Sequence, residues 1–193
     1  SLTFNSGIHL RTADCQSNGQ AEVGFNGSVL LNAFNAWEYS WQCGREDLKE
    51  NSMKVFDSYL KNGFTQAGFF KESVNFDRGY EDPVHSIRRQ SEGVYAMLHF
   101  LAYERENGRR HPEWEQKMKN MLDILLQLQH EDGSFPRKFH DDFTIVDNSG
   151  GSTPSATLPL IMGYKYFKDK RYLASAKRTA DYLEKVLISK AHY

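Results

Sequence analysis

A helical hairpin recurs along this sequence, and a chain whose helices come in pairs between long connectors has few ways to build a core. From Gly27 to Cys43, Val29, Leu30, Ala33, Phe34, Trp37 and Trp41 fall at three- and four-residue spacings, the period of a helix with one buried stripe. Gly44 ends it. A second helix is predicted from Glu46 to Lys61 on Leu48, Val55, Phe56, Tyr59 and Leu60, with Asn62-Gly63 as its stop. The hairpin 27–62 is followed by a second over 86–129. There Ile87, Val94, Met97, Leu98 and Leu101 mark one helix, Asn107-Gly108 the turn, and Trp114, Met118, Met121, Leu122 and Leu125 the other. Pro112 stands in the first turn of the second helix, where a missing donor costs nothing. The third hairpin, 155–189, turns at Lys168-Asp169 and resumes on Tyr172, Ala176, Ala180, Leu183 and Leu187.

The connectors repeat too. Gly68-Phe69-Phe70-Lys71 follows the first hairpin as Gly133-Ser134-Phe135-Pro136 follows the second, giving a period of roughly 60–65 residues. Two segments, 64–84 and 131–154, are longer than the few residues usual between packed helices, and loops of that length tend to carry function. Within them Phe69–Val74 and Phe143–Val146 have the composition of short strands. The predicted fold class is all-α. Consecutive antiparallel hairpins stack as a partial toroid, first helices inside, second helices outside, with every long loop on one face. An unrelated six-helix bundle would share the helices but not the repeat, and 193 residues suit one such domain.

Charge and composition narrow the function. Lys+Arg is 24 against Asp+Glu 25, and no basic stripe occurs, so nucleic acid is an unfavoured partner. No apolar run approaches the roughly 20 residues that span a bilayer, so a membrane is unfavoured as well. The start, Ser1-Leu2-Thr3-Phe4-Asn5, lacks the basic and apolar regions of a signal peptide. Two cysteines, Cys15 and Cys43, define neither a metal site nor a disulfide framework, and a bridge between them stays open. Neither the histidine spacings nor a glycine-rich loop points to a metal or a nucleotide, so no cofactor is expected. Trp37, Trp41 and Trp114, at helical spacing, are expected in the core.

Aromatic residues reach 13%, and the long loops mix rings with acids and guanidinium groups. That mixture suits sugars: rings stack on the apolar faces of a pyranose, while carboxylates and arginines bind its hydroxyls or a uronate carboxylate. Glycoside hydrolysis needs an acid for the leaving oxygen and a carboxylate for water or the sugar, about 5–10 Å apart. The candidate catalytic residues are Asp77 in the first loop and the pair Asp141 and Asp142 in the second, since adjacent carboxylates repel and burial can hold one protonated. Candidate sugar contacts are Phe70, Arg78, Tyr80, His85, Arg88, Phe135, Arg137 and His140. Other loop acids have turn signatures, Asp82 before Pro83 and Asp132 before Gly133.

Three stretches carry a resemblance: Gln129-His130-Glu131-Asp132-Gly133-Ser134-Phe135-Pro136, Gly150-Gly151-Ser152-Thr153-Pro154-Ser155-Ala156-Thr157, and Tyr164 through Ala176. Over the last two thirds the chain resembles the six-hairpin glycosidases, including the unsaturated glucuronyl and rhamnogalacturonyl hydrolase type. The resemblance implies an (α/α) toroid, hydrolysis or binding of an oligo- or polysaccharide, no cofactor, and a periplasmic or extracellular location. In some toroid glycosidases an aspartate pair in a comparable loop is catalytic, which implies that role for Asp141 and Asp142. That family closes six or seven hairpins where three are read here, so a piece of a longer chain, or a homodimer covering the open helix faces, is expected. The same fold hosts epimerases, which need histidines as base and acid, and terpene cyclases, whose Gln-x-x-x-Gly-x-Trp repeat is approached at Gln129–Phe135 without the tryptophan or an acidic motif. A non-catalytic glycan- or protein-binding module is the remaining alternative.

Overall fold

The computed structural model describes residues 20–21, 28–75 and 77–189. Among the described residues six helices dominate: α1 Ser28–Cys43, α2 Glu46–Asn62, α3 Ile87–Glu106, α4 Pro112–Leu128, α5 Thr157–Phe167 and α6 Lys170–Tyr182. Their ends follow local chemistry. Pro112 opens α4 with Glu113 and Glu115 in the first turn, where carboxylates favour the positive end of the helix dipole. Asp169 caps α6 by accepting the Arg171 N–H at 2.9 Å, after Lys168 has turned the chain through a left-handed φ of 61°. A 3-10 segment, Gly150–Ala156, leads into α5, and a π-helical turn, Leu183–Ile188, ends α6.

The first helices of the three hairpins, α1, α3 and α5, touch in sequence, with α2, α4 and α6 packed behind them. The middle helix shows why. Within α3, Gln90, Ser91, Val94, Met97, Leu98 and Leu101 are all buried, so more than one stripe is covered, as an inner rod between two neighbours requires. By contrast α4 buries one face, Trp114, Met118, Met121, Leu122, Leu125 and Leu128. Trp37 and Trp114 lie in the core at 4% and 3% exposure. Trp41 does not. It is 43% exposed, because its position on α1 faces outward, where Lys49 and Arg109 lie over its ring.

Among the described residues there are six short strands: β1 Gln20–Ala21 ahead of α1, and, in or at the edge of the long connectors, β2 Val74–Asn75, β3 Tyr80–Glu81, β4 His85–Ser86, β5 Lys138–Phe139 and β6 Ile145–Asp147. They form two antiparallel sheets, β1-β2-β3 and β4-β5-β6. Of the predicted Phe69–Val74 strand, Val74 falls in β2 and Phe70 makes an isolated antiparallel bridge with Phe64, while Phe69 O closes the turn that begins at Thr65. The second sheet joins the two long connectors directly: His85 pairs with Phe139 and Ser86 with Lys138. These loops therefore share a rim. A Cys15–Cys43 bridge lies outside the described residues; Cys43 is exposed and, among the described residues, forms no disulfide.

The connector repeat has a structural cause. Thr65 O accepts the Gly68 N–H and Thr65 N–H donates to Phe69 O; 65 positions later His130 and residues Gly133 and Ser134 make the same two bonds. Gly68 and Gly133 take φ of 95° and 91°, a region side chains avoid. The residue two beyond each glycine then drops into the core.

Candidate functional site: the loop rim

That turn overturns two expectations. Phe70 and Phe135 were expected as sugar platforms because they sit on loops, but they are 1% and 0% exposed. Phe70 stacks on Phe64 at 4.6 Å and lies against Gly93 of α3, where any Cβ would meet its ring at 2.7 Å. Both rings plug the ends of the hairpins. Tyr80, in contrast, is 53% exposed and remains available for stacking.

The aspartate pair sits at the tip of the β5–β6 hairpin. His140 N–H donates to Thr144 O and Phe143 N–H to His140 O, both at 2.9 Å, closing a tight loop. Phe143 is held at φ 67°, uncommon for a bulky residue, while its ring packs edge-on against Phe69 at 5.7 Å. The two carboxylates have different partners. Asp142 accepts the Thr144 N–H at 2.9 Å, and that bond, with the Thr144 hydroxyl, lowers its carboxyl below the ordinary range. Mutual repulsion that would keep Asp142 protonated is therefore not what this loop provides: the carboxyl is solvated and hydrogen-bonded in its charged form.

Asp141 turns the other way. Its Oδ1 accepts from His85 Nε2 at 2.7 Å and from Thr65 Oγ1 at 3.2 Å, while the side chain stays 49% exposed. His85 itself is 1% exposed, stacked on Phe69 at 4.7 Å and flanked by Phe139 at 5.6 Å. Expected to touch sugar, it is shut away from any ligand by these rings and meets the rim only through Asp141. His140 is partly exposed, and its Nδ1 donates to Pro83 O at 3.0 Å, which leaves the lone pair on Nε2 when the ring is neutral.

Behind His85 lies a group that sequence reading missed. Glu72 is fully buried; Oε1 accepts the Ser86 N–H at 2.8 Å and Gln90 Nε2 at 2.9 Å, and Oε2 accepts Arg89 Nη1 at 3.0 Å. Gln90 also exchanges two bonds of 2.8 Å with the Phe70 backbone. The one sequence cue was alternation: Phe70, Glu72 and Val74 fall on one side of an extended run, and a polar residue in that series must be bonded if buried.

On the opposite face of the β4–β5 pair opens a cavity of about 270 Å³, lined by Asp82, Val84, Ser86, Arg88, Arg89, Arg137, Lys138 and Ser152. Three of its cations are held by acids: Arg88 to Glu92 at 3.7 Å, Arg89 to Glu72, and Arg137 to Asp147 at 2.8 Å. Asp147 titrates at about 2, drawn down by Ser149 and then by Arg137. Asp82 serves its turn, accepting the Val84 N–H at 3.0 Å. Asp77 and Arg78 sit exposed in the turn between β2 and β3, on the other sheet, and among the described residues no contact joins Asp77 to Asp141 or Asp142.

No protein-family model matches the sequence. Solved structures do. Over 90% of its length the chain superposes on cellobiose 2-epimerase from Spirochaeta thermophila with a TM-score of 0.71 at 13% identity, covering 45% of that protein. Unsaturated glucuronyl hydrolase from Bacillus sp. GL1 gives 0.67 at 15% identity, over 90% of this chain and 48% of that one. A D-mannose isomerase gives 0.69 at 12%, over 90% and 44%. The fold these structures share with the chain is the helical (α/α) toroid, of which the chain forms a part. The chain spans less than half the length of these structures, and identities this low carry the fold and not the reaction.

Proposed function

We propose that the chain is part of a carbohydrate-processing toroid whose rim takes an acidic sugar, with Asp141 as its reactive carboxylate. The observation that carries this reading is one sheet presenting both a cationic cavity and an anchored, exposed aspartate. Ser86 and Lys138 line the cavity from one face of β4 and β5. His85, from the other face, fixes Asp141. A planar guanidinium has five donors, so Arg137 in its pair with Asp147 still suits a carboxylate or sulfate. The solved structures of like fold bear names of sugar epimerases and a glucuronyl hydrolase, which supports sugar as the ligand class.

A second reading, epimerisation, is favoured by His140, whose bond to Pro83 O leaves Nε2 as a base at the same hairpin tip. The full chain, incubated with neutral and uronate-bearing oligosaccharides, separates the readings by NMR: new reducing ends mean hydrolysis, an inverted ring carbon means epimerisation. Acidic oligosaccharides are expected to bind more tightly than neutral ones, with about tenfold weakening in Arg137→Met/Lys138→Met. Asp141→Asn is expected to abolish turnover while Asp142→Asn retains it. Binding of no sugar by the wild type, or equal loss from both aspartate variants, would refute the assignment.

A further inference from the structure

We infer that His85 is a positioning residue, set by Glu72, that holds Asp141 by one carboxylate oxygen so that the other faces the ligand. The inference rests on the reading of Asp141 above and deepens it. Both described bonds to Asp141 fall on Oδ1, from His85 Nε2 and Thr65 Oγ1. Among the described residues the imidazole has no other hydrogen bond: its Nδ1 is buried without a partner there and stands 3.9 Å from Glu72 Oε1, beyond bonding distance. A buried ring that leaves one nitrogen unsatisfied is costly. The ring is nonetheless kept in one plane by Phe69, at 20° between planes, with Nε2 aimed at the hairpin tip.

Glu72 supplies the fixed point. Its Oε1 takes the backbone N–H of Ser86, the residue next to His85, so the strand carrying the imidazole cannot shift without stripping a fully buried carboxylate of a donor. Position therefore passes from Glu72 to the β4 backbone, from the backbone to the ring, and from the ring to Asp141. Held groups of this kind matter because misplacing a reacting group by about 1 Å can cost about 100-fold in rate.

Two arms test this. The first needs no sugar. Long-range proton–nitrogen correlation spectra of the full chain labelled at histidine are expected to show a proton on His85 Nε2, with its resonance shifting in Asp141→Asn. A proton on Nδ1 alone, or no change in the variant, would overturn the inference whatever the ligand. The second arm uses whichever oligosaccharide the wild type turns over. His85→Leu fills the slot between the rings but donates nothing, and is expected to lose about 100-fold in kcat with KM little changed. His85→Gln, whose amide can reach the same oxygen, is expected to recover most of that loss. Equal loss in both variants, or none in either, would overturn the positioning role. Failure of the sugar reading is seen separately, in a wild type that binds no oligosaccharide.

Discussion

Glu104 is the residue on which the hairpins are tied. Its carboxylate is buried in α3 and accepts from Trp37 Nε1 of α1 at 2.8 Å, from His111 Nε2 at 2.9 Å, and from both arms of Arg109. Burial pushes its titration up, but the bonds from His111, Arg109 and Trp37 outweigh that and bring it from 4.5 to about 2. A carboxyl that binds its proton less readily folded than unfolded contributes stability above the unfolded value, and the contribution fades as pH falls toward the folded one. Glu104→Gln is therefore expected to lose about 2–3 kcal/mol at pH 7, since a neutral amide replaces the charged acceptor shared by Trp37, His111 and Arg109, while Arg109, a third exposed, keeps part of its solvation. Urea unfolding of wild type and variant should converge between pH 4.5 and 2; a gap independent of pH would refute the account. At this scale the sequence was only partly legible. Asp82 and Asp132 announced their turns through Pro83 and Gly133, and Asp132 does accept the Ser134 N–H at 2.9 Å. Glu72, His85 and Glu104 gave no such turn signal: Ser86 stands 14 positions from Glu72, Asp141 56 from His85, and Trp37 67 from Glu104, which Arg109 and His111 join from the following turn, and separations of that size leave no mark on local spacing.

Helices were legible because a 3.6-residue period is a one-dimensional record of one buried face, and Trp114 through Leu128 spell it out. The rim was harder, because position on a loop was equated with exposure. Phe70 and Phe135 refute that equation: each stands two residues after a glycine in a repeated turn, and the repeat itself marked them as parts of the scaffold. Gly133 shows the constraint most sharply. Beyond its φ of 91°, an added Cβ would stand 2.2 Å from the Arg178 carbonyl oxygen of α6. Gly133→Ala is expected to destabilise by at least about 2 kcal/mol, a fall in melting temperature of about 4–8 °C. The same change at Gly151, which has open space around it, is expected to leave the melting temperature within about 1 °C. Comparable losses at both positions would contradict the packing described.

Over the whole molecule, the three hairpins are joined twice, through the contacts of α1, α3 and α5 and through the sheet that links the connectors. The first was foreseen from the pattern of paired helices. The second was foreseen only in part: Phe143–Val146 had the composition of the strand that becomes β6, but its partners β4 and β5, two residues each, have too little periodicity to read. Its bonds bear on order at the rim: Ile87 N–H reaches Arg137 O at 3.2 Å and Arg137 N–H reaches Asp147 O at 2.8 Å. If these connectors are as fixed as the helices beneath them, amide exchange at Ile87 and Arg137 should be protected to within about tenfold of the α3 interior. Exchange as fast as at the exposed turn of residues 77–79 would mean a rim assembled only on binding.

The pairing of His85 with Phe139 and Ser86 with Lys138 also governs how such a rim can change. Faces alternate residue by residue, so a one-residue slip of β4 along β5 would exchange the inner and outer sets, sending the imidazole into the cationic cavity and a serine between the rings. Substitutions that keep this register replace side chains in place, whereas a slip of the pairing would erase the site in one step.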